Sequence, residues 1–292
     1  MRKIDVNELK SIELDILKDV ANFCDENGLR YYLCGGTLLG AIRHKGFIPW
    51  DDDIDIIMPR PDYIKFAELY NKRDSPYRTD SLLTDKNWTS AFAEVQDTRT
   101  IKIYSDFSLP QERGVSIDLF PIDGAPENEA ERKRFWKINN IMTRIATLSC
   151  QKFTVSRHFV DQDTSHGTIK TILRTAVKFM AIPIAKLFIP FHLNQRVTNR
   201  AMAYDVDKSE YIGGSVFPRY GYKECIKGKP FLKIKKRLFE GYMFNTPDEY
   251  DEYLTNLYGD YMTPPSSEKQ VSHHDVEAYW RDDYDNCMNC EG

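Results

Sequence analysis

Four aspartates in five residues, Asp51, Asp52, Asp53 and Asp55, form the densest cluster of chemistry-bearing side chains in the chain. They stand between Ile48-Pro49-Trp50 and the segment Ile54 to Met58. A solvated acidic turn is therefore the weaker explanation, because flanks of this kind are buried and buried carboxylates need partners. Residues two apart on a strand point to one face, so Asp53 and Asp55 are expected side by side, with Asp51 in phase if the strand begins early. Adjacent carboxylates repel one another. A hard cation with oxygen ligands, Mg²⁺ or Mn²⁺, removes that repulsion. Asp118 is the lone charge in Val115-Ser116-Ile117-Asp118-Leu119-Phe120 and is the candidate third carboxylate. In that role it ligates metal and accepts the proton of an attacking hydroxyl; the alternative is a structural aspartate at a turn.

Upstream lies Gly35-Gly36-Thr37, a glycine turn opening a short helix. Two glycines let the backbone approach a ligand closely, and a helix N-terminus attracts phosphate. Arg43, His44 and Lys45 follow between this turn and the acidic run. They read equally as phosphate contacts and as solvated helix-end cations.

These residues need a scaffold, and the hydrophobic periods supply one. Asp5 to Asn27 has an amphipathic helical pattern, with Asp5 placed to cap it and Gly28 to end it. The expected strands are Arg30 to Cys34, a strand following the Asp51 loop, and AFAEVQD, TIKIYS and GVSIDLFP between Asn87 and Leu119. Helices are expected over 61–70, 128–150 and 247–258, with a helical stretch over 165–203 broken at Pro183 and Pro190. The tail from Tyr261 reads as polar and irregular. The expected organisation is an α/β (α+β) catalytic core over 1–125, a helical region over 126–210 and a C-terminal segment, 211–292, folding back onto the core.

The whole-chain figures bound the function. The 292 residues carry a net charge of −4, which argues against a general nucleic-acid binder. The N-terminus lacks the basic head and apolar run of a secretory signal, so a cytoplasmic location is expected and the six cysteines are read as thiols. Residues 168–193 are apolar but interrupted by Lys170, Arg174, Lys178 and Lys186. That pattern suits either a peripheral contact with an anionic inner membrane surface or a pair of core-packing helices. Cys287 and Cys290 form half of a zinc-type motif, to which His273 or His274 could add ligands, although unpaired terminal thiols explain them as well.

The run GGTLLGAIRHKGFIPWDDDIDIIMPR closely resembles the LicD family of phosphocholine transferases, whose eukaryotic relatives include fukutin-type ribitol-phosphate transferases. SIDLFPID (116–123) resembles the family's second acidic motif, and FEGYMFNTPDEYDEYLTNLYGDYMTPP with His273 or His274 resembles its C-terminal signature. The resemblance implies a nucleotidyltransferase-like fold of the polymerase-β type, with Gly36-Thr37, Asp53, Asp55 and Asp118 in the metal and phosphate positions and His274 near donor phosphate. It also implies a CDP-choline, CDP-ribitol or CDP-glycerol donor and a lipid-linked glycan acceptor, such as a teichoic-acid unit or lipopolysaccharide. Glu94 departs from the basic residue expected there in many members. A choline head group is held by aromatic faces, for which Trp50, Trp88, Tyr31 and Tyr32 are candidates. Two rivals use the same residues differently: a nucleotidyltransferase that attaches a nucleoside monophosphate to a small molecule, and a non-catalytic glycan- or choline-binding module.

Overall fold

The computed structural model describes residues 1–104, 107–109, 111–153, 167–217, 219–270 and 276–282. The first helix, α1 (Val6–Asn27), begins where the Asp5 carboxylate accepts hydrogen bonds from the N–H groups of Asn7 and Glu8, and ends at Gly28 with φ of 63°. Then come β1 (Tyr32–Leu33), α2 (Gly35–Arg43), β2 (Asp55–Pro59) and α3 (Arg60–Leu69). Three strands follow, β3 (Tyr77–Asp80), β4 (Ala93–Tyr104) and β5 (Arg113–Gly124), and then the helices α4 (Glu129–Ser149), α5 (Gly167–Lys186) and α6 (Leu193–Ala201). The remainder comprises β6 (Tyr211–Gly213), β7 (Ile226–Lys227), the single turn α7 (Gly228–Phe231), β8 (Ile234–Phe239), β9 (Tyr242–Pro247), α8 (Asp251–Tyr258) and β10 (Val276–Trp280).

The sheet is mixed and runs β1-β2-β5-β4, with β3 and β10 side by side on the outer edge of β4. Among the described strands β2 and β5 pair in parallel and every other pair is antiparallel. This register aligns the acids. Asp55 lies opposite Asp118, Asp118 opposite Glu94, and Glu94 opposite Asp80. Paired residues on neighbouring strands share a face, so one row of four acidic residues crosses four strands. The far ends of the parallel pair are clamped. Arg60, at the start of α3, donates from Nε and Nη2 to both oxygens of the buried Asp123 at 2.7 and 2.6 Å.

One apolar core joins α1, the sheet and the C-terminal segment, from Ile4 to Phe239, Leu254 and Ala278. The helices α5 and α6 pack on α4, beside the sheet. The fold is thus the mixed α/β arrangement that the sequence implied.

Several elements differ from expectation. Strand β2 begins at Asp55, so Asp53 lies on its extended approach and not within it. AFAEVQD and TIKIYS are one strand, β4, with a register shift between Asp97 and Lys102. Pro183 lies inside α5 without ending it. It removes the hydrogen bond to the Phe179 carbonyl, and the helix continues for only three residues beyond it, to Lys186. The tail is not wholly irregular, because Val276–Trp280 pairs with β4.

Candidate active site

The start of α2 is stapled to the start of β2. The Cys34 N–H donates to the Asp55 carbonyl at 3.1 Å, and the Thr37 hydroxyl accepts from the Asp55 N–H at 2.8 Å. The two glycines of this turn have a steric reason. A Cβ on Gly36 would stand 2.5 Å from Oδ2 of Asp51. A Cβ on Gly35, which has φ of 53°, would stand 3.2 Å from Oδ2 of Asp55. Both carboxylates therefore press against the N-terminal turn of a helix, where the dipole is positive.

Two cavities meet at this point. The larger, about 700 Å³, is lined by Gly35, Gly36, Arg43, Trp50, Asp51 and Asp55, and by Arg219, Tyr220, Glu224 and Tyr258 from the C-terminal half. The smaller, about 330 Å³, is lined by Glu13, Asp52, Phe92, Glu94, Lys102, Tyr104 and Arg113, among others. Asp53, Asp118 and Phe217 line both. The carboxylates thus stand at the seam between two chambers.

Burial pushes the Asp55 carboxyl well above its ordinary value, and Asp53, Asp118 and Asp51 add to this while Arg219 opposes it. A cluster of neighbouring carboxylates of this kind suits a cation. The donors are all hard oxygens, which fits Mg²⁺ or Mn²⁺ and not a soft metal. Among the described residues no three acidic, thiol or imidazole groups converge on one point as they stand. Mutual repulsion of the aspartates opposes such convergence, and a bound cation reverses that repulsion.

In the smaller cavity, burial works against the Lys102 ammonium. Tyr104, Glu94, Asp118 and Glu13 around it outweigh that and raise its pKa. Lys102 donates to the Ser116 hydroxyl at 2.7 Å. Glu94 is ion-paired with Arg113, so a cation from β5 neutralises the carboxylate that the sequence left unexplained.

The other residues singled out from sequence fall into two groups. Arg43 lines the larger cavity, where its Nη1 donates to the Tyr261 carbonyl. His44 accepts a hydrogen bond from Arg43 Nε and meets the edge of Trp50, which itself lines the cavity. Lys45 turns back onto the Ile42 carbonyl, away from both chambers. Tyr31 and Tyr32 are core residues whose hydroxyls bond to the Asn245 N–H and the Leu232 carbonyl. Trp88 is buried with Arg113 over its ring at 4.1 Å, and lines neither chamber. His273, His274, Cys287 and Cys290 lie outside the described residues.

Sequence reasoning passed over Glu13, Lys102, Arg219, Tyr220, Glu224 and Tyr258. Arg219 lies over the Tyr220 ring at 5.6 Å, and its pKa is raised by Tyr220, Tyr258, Asp53 and Asp55 against the opposing effect of burial. The only signal for Glu13 was a carboxylate in the apolar stripe of α1, between Leu9 and Ile16.

A family model described as LicD/FKTN/FKRP, nucleotidyltransferase domain, matches residues 28–170. The lipopolysaccharide cholinephosphotransferase LicD of Haemophilus influenzae is 30% identical over 289 residues, covering 96% of this chain and 99% of that protein. The human ribitol 5-phosphate transferase FKRP is 51% identical over 37 residues, 13% of this chain and 8% of its own. An uncharacterised protein of Rickettsia typhi is 37% identical over 70 residues, 24% of this chain. With the similarity to the Haemophilus protein running almost end to end on both chains, this protein belongs to the LicD family.

Proposed function

We propose that the protein transfers phosphocholine, or a related phospho-alditol group, from a CDP-activated donor to a hydroxyl of a cell-surface glycan precursor of the lipopolysaccharide or teichoic-acid kind, releasing CMP. The observation that carries this reading is the seam itself, where Asp53 and Asp118 line two chambers at once. One chamber runs past the N-terminus of α2 to Arg43 and Arg219, a setting for a nucleotide diphosphate. The near-complete match to a cholinephosphotransferase supports the same reaction class.

In this reading the acceptor hydroxyl oxygen bonds to the phosphorus distal to cytidine. The bond from that phosphorus to the bridging oxygen breaks, and CMP departs with the bridging oxygen. The hydroxyl proton passes to the Asp118 carboxylate. Asp51, Asp53, Asp55 and Asp118 would hold Mg²⁺ or Mn²⁺, which offsets the charge of the diphosphate when bound. Arg219 and the first turn of α2 orient the phosphates, and Trp50 and Tyr220 close the chamber around the nucleotide.

The acceptor is read as lipid-linked, and the surface supports a peripheral membrane contact. Val177, Met180, Ile184, Leu187, Phe188, Ile189 and Phe191 are exposed along α5 and the turn after it, interleaved with Lys178 and Lys186. Among the described residues no helix is long and apolar enough to cross a membrane.

The test is CMP release from CDP-choline, CDP-ribitol and CDP-glycerol with Mg²⁺ and a lipid-linked glycan extract. Metal-dependent release from one donor is expected, falling more than about a hundredfold in Asp53→Ala. No CMP from any donor, with folded protein and a competent extract, defeats the reading. Pyrophosphate released from a nucleoside triphosphate instead points to nucleotidyl transfer.

A further inference from the structure

The smaller cavity holds a cation to which the reaction as described gives no task. Lys102 and Arg113 are the two cations in its wall among the described residues. Arg113 is committed: its two Nη atoms donate to Glu94 and Thr89, and its guanidinium lies over the Trp88 ring. Lys102 gives one hydrogen bond, to the Ser116 hydroxyl at 2.7 Å, and forms no ion pair among the described residues. An ammonium has three donors, so two remain for whatever enters the cavity. Burial opposes the charge of Lys102, and Tyr104, Glu94, Asp118 and Glu13 outweigh it and keep the group protonated.

Strand pairing explains how Lys102 comes to stand there. While β4 advances from Asp97 to Lys102, β5 advances only from Val115 to Arg113. Extra residues in one strand of a pair re-aim its side chains. The Lys102 ammonium is anchored on Ser116, two residues before Asp118 and on the same face of β5. Cations then flank the seam. Arg219 lines only the larger chamber and Lys102 only the smaller, while Asp53 and Asp118 line both. In an in-line displacement the attacking oxygen arrives opposite the departing one. With the nucleotide in the larger chamber, the hydroxyl enters from the smaller cavity, the side on which Lys102 stands. A donor fixed in place before the reaction meets the charge of the transition state without reorganising.

We propose that Lys102 is a catalytic residue of the transfer: held by Ser116, its ammonium donates a hydrogen bond to a non-bridging oxygen of the moving phosphoryl group, from the side on which the hydroxyl enters. The bonds made and broken are those given above. The hydroxyl proton still passes to Asp118, and Lys102 keeps all three of its own. This role rests on the CDP-donor reading for which phosphoryl group moves.

The experiment is steady-state CMP release, with Mg²⁺ and the lipid-linked glycan extract, by the wild type, Lys102→Met and Lys102→Arg, beside calorimetric binding of the CDP donor to each. In Lys102→Met kcat is expected to fall about a hundredfold, the loss typical of one transition-state donor. Donor binding stays within about twofold, because an interaction made only in the transition state leaves the ground state alone and Lys102 does not line the donor chamber. Lys102→Arg keeps the charge and recovers a substantial part of kcat. Ser116→Ala keeps the ammonium and removes only its anchor. It lowers kcat by a smaller factor with donor binding unchanged, and it serves where Lys102→Met fails to fold. A kcat loss below about fivefold in folded Lys102→Met, or a loss matched by equal weakening of donor binding, overturns the role. An unchanged kcat in Ser116→Ala overturns it where that variant stands in. If the wild type releases no CMP but releases pyrophosphate from a nucleoside triphosphate, the donor reading falls, and the same kcat comparison on that reaction decides Lys102. No turnover in either assay, with folded protein and a competent extract, overturns both.

Discussion

Glu224 shows how one buried carboxyl can set the pH response of the molecule. It lies in the wall of the larger chamber, 7% exposed, and burial raises its pKa from the ordinary 4.5 to about 8, with a Tyr253 hydrogen bond opposing. Between those two values the folded protein keeps a proton that the unfolded chain has lost. Stability therefore falls as pH rises from about 4.5 to about 8, by up to roughly 1.4 kcal/mol per unit, and is flat with respect to this group outside that window. Urea midpoints at pH 5.5 and 7.5 measure the slope. Glu224→Gln should remove it, and an unchanged slope in that variant would assign the pH dependence to other groups. Glu224 also marks a limit of sequence reading. In YKECIK nothing separates it from a surface glutamate, because α8 (Asp251–Tyr258), later in the chain, packs against the turn that carries it.

At the scale of elements, the parallel pair β2–β5 carries the site, with Asp55 and Asp118 at one end and the Arg60–Asp123 clamp at the other. The clamp is buried on both sides and bidentate, so removing one partner leaves an uncompensated charge inside the protein. Asp123→Asn should cost about 3–5 kcal/mol in chemical denaturation. A cost below about 1 kcal/mol would mean that the ends of the strands are held by the apolar core alone. The acidic half of this unit was legible because its residues are contiguous, Asp51 to Asp55, and because an isolated aspartate in an apolar strand, Asp118, needs a reason. The elements that complete the sheet were less so. Strand β3 has four residues and β10 five, and each exists because β4 offers it an edge. The β8–β9 hairpin turns at Glu240-Gly241, both with positive φ, between the lysine-containing Ile234–Phe239 and Tyr242–Pro247. Such pairing depends on partners, and period and composition do not encode it.

On the whole molecule, the helical layer joins the chemistry to a surface. Thr143, Thr147 and Cys150 of α4 and its end, and Asn194 of α6, line the smaller cavity. Three residues before Asn194, the exposed apolar run ends at Phe191, having passed Leu187 at 72% exposure and Ile189 at 55%. Ile182 and Ala185 of the same helix are buried, so α5 packs one face inward and leaves the other uncovered. That geometry places an apolar, lysine-flanked patch beside the smaller cavity. Each large side chain entering the headgroup region contributes a fraction of the 1.5–3 kcal/mol of full burial, roughly, and each nearby lysine adds about 1 kcal/mol on an anionic surface. Together they predict salt-sensitive binding to phosphatidylglycerol-containing vesicles and weaker binding to phosphatidylcholine alone. In co-sedimentation, Leu187→Glu with Phe188→Glu should reduce partitioning more than about tenfold, since two apolar anchors are lost and two repelling charges gained. CDP-choline binding by the same variant should be unchanged, because neither residue lines a chamber. Equal binding to both vesicle types, unaffected by the double substitution, would remove the membrane from the account and leave the patch to a protein partner.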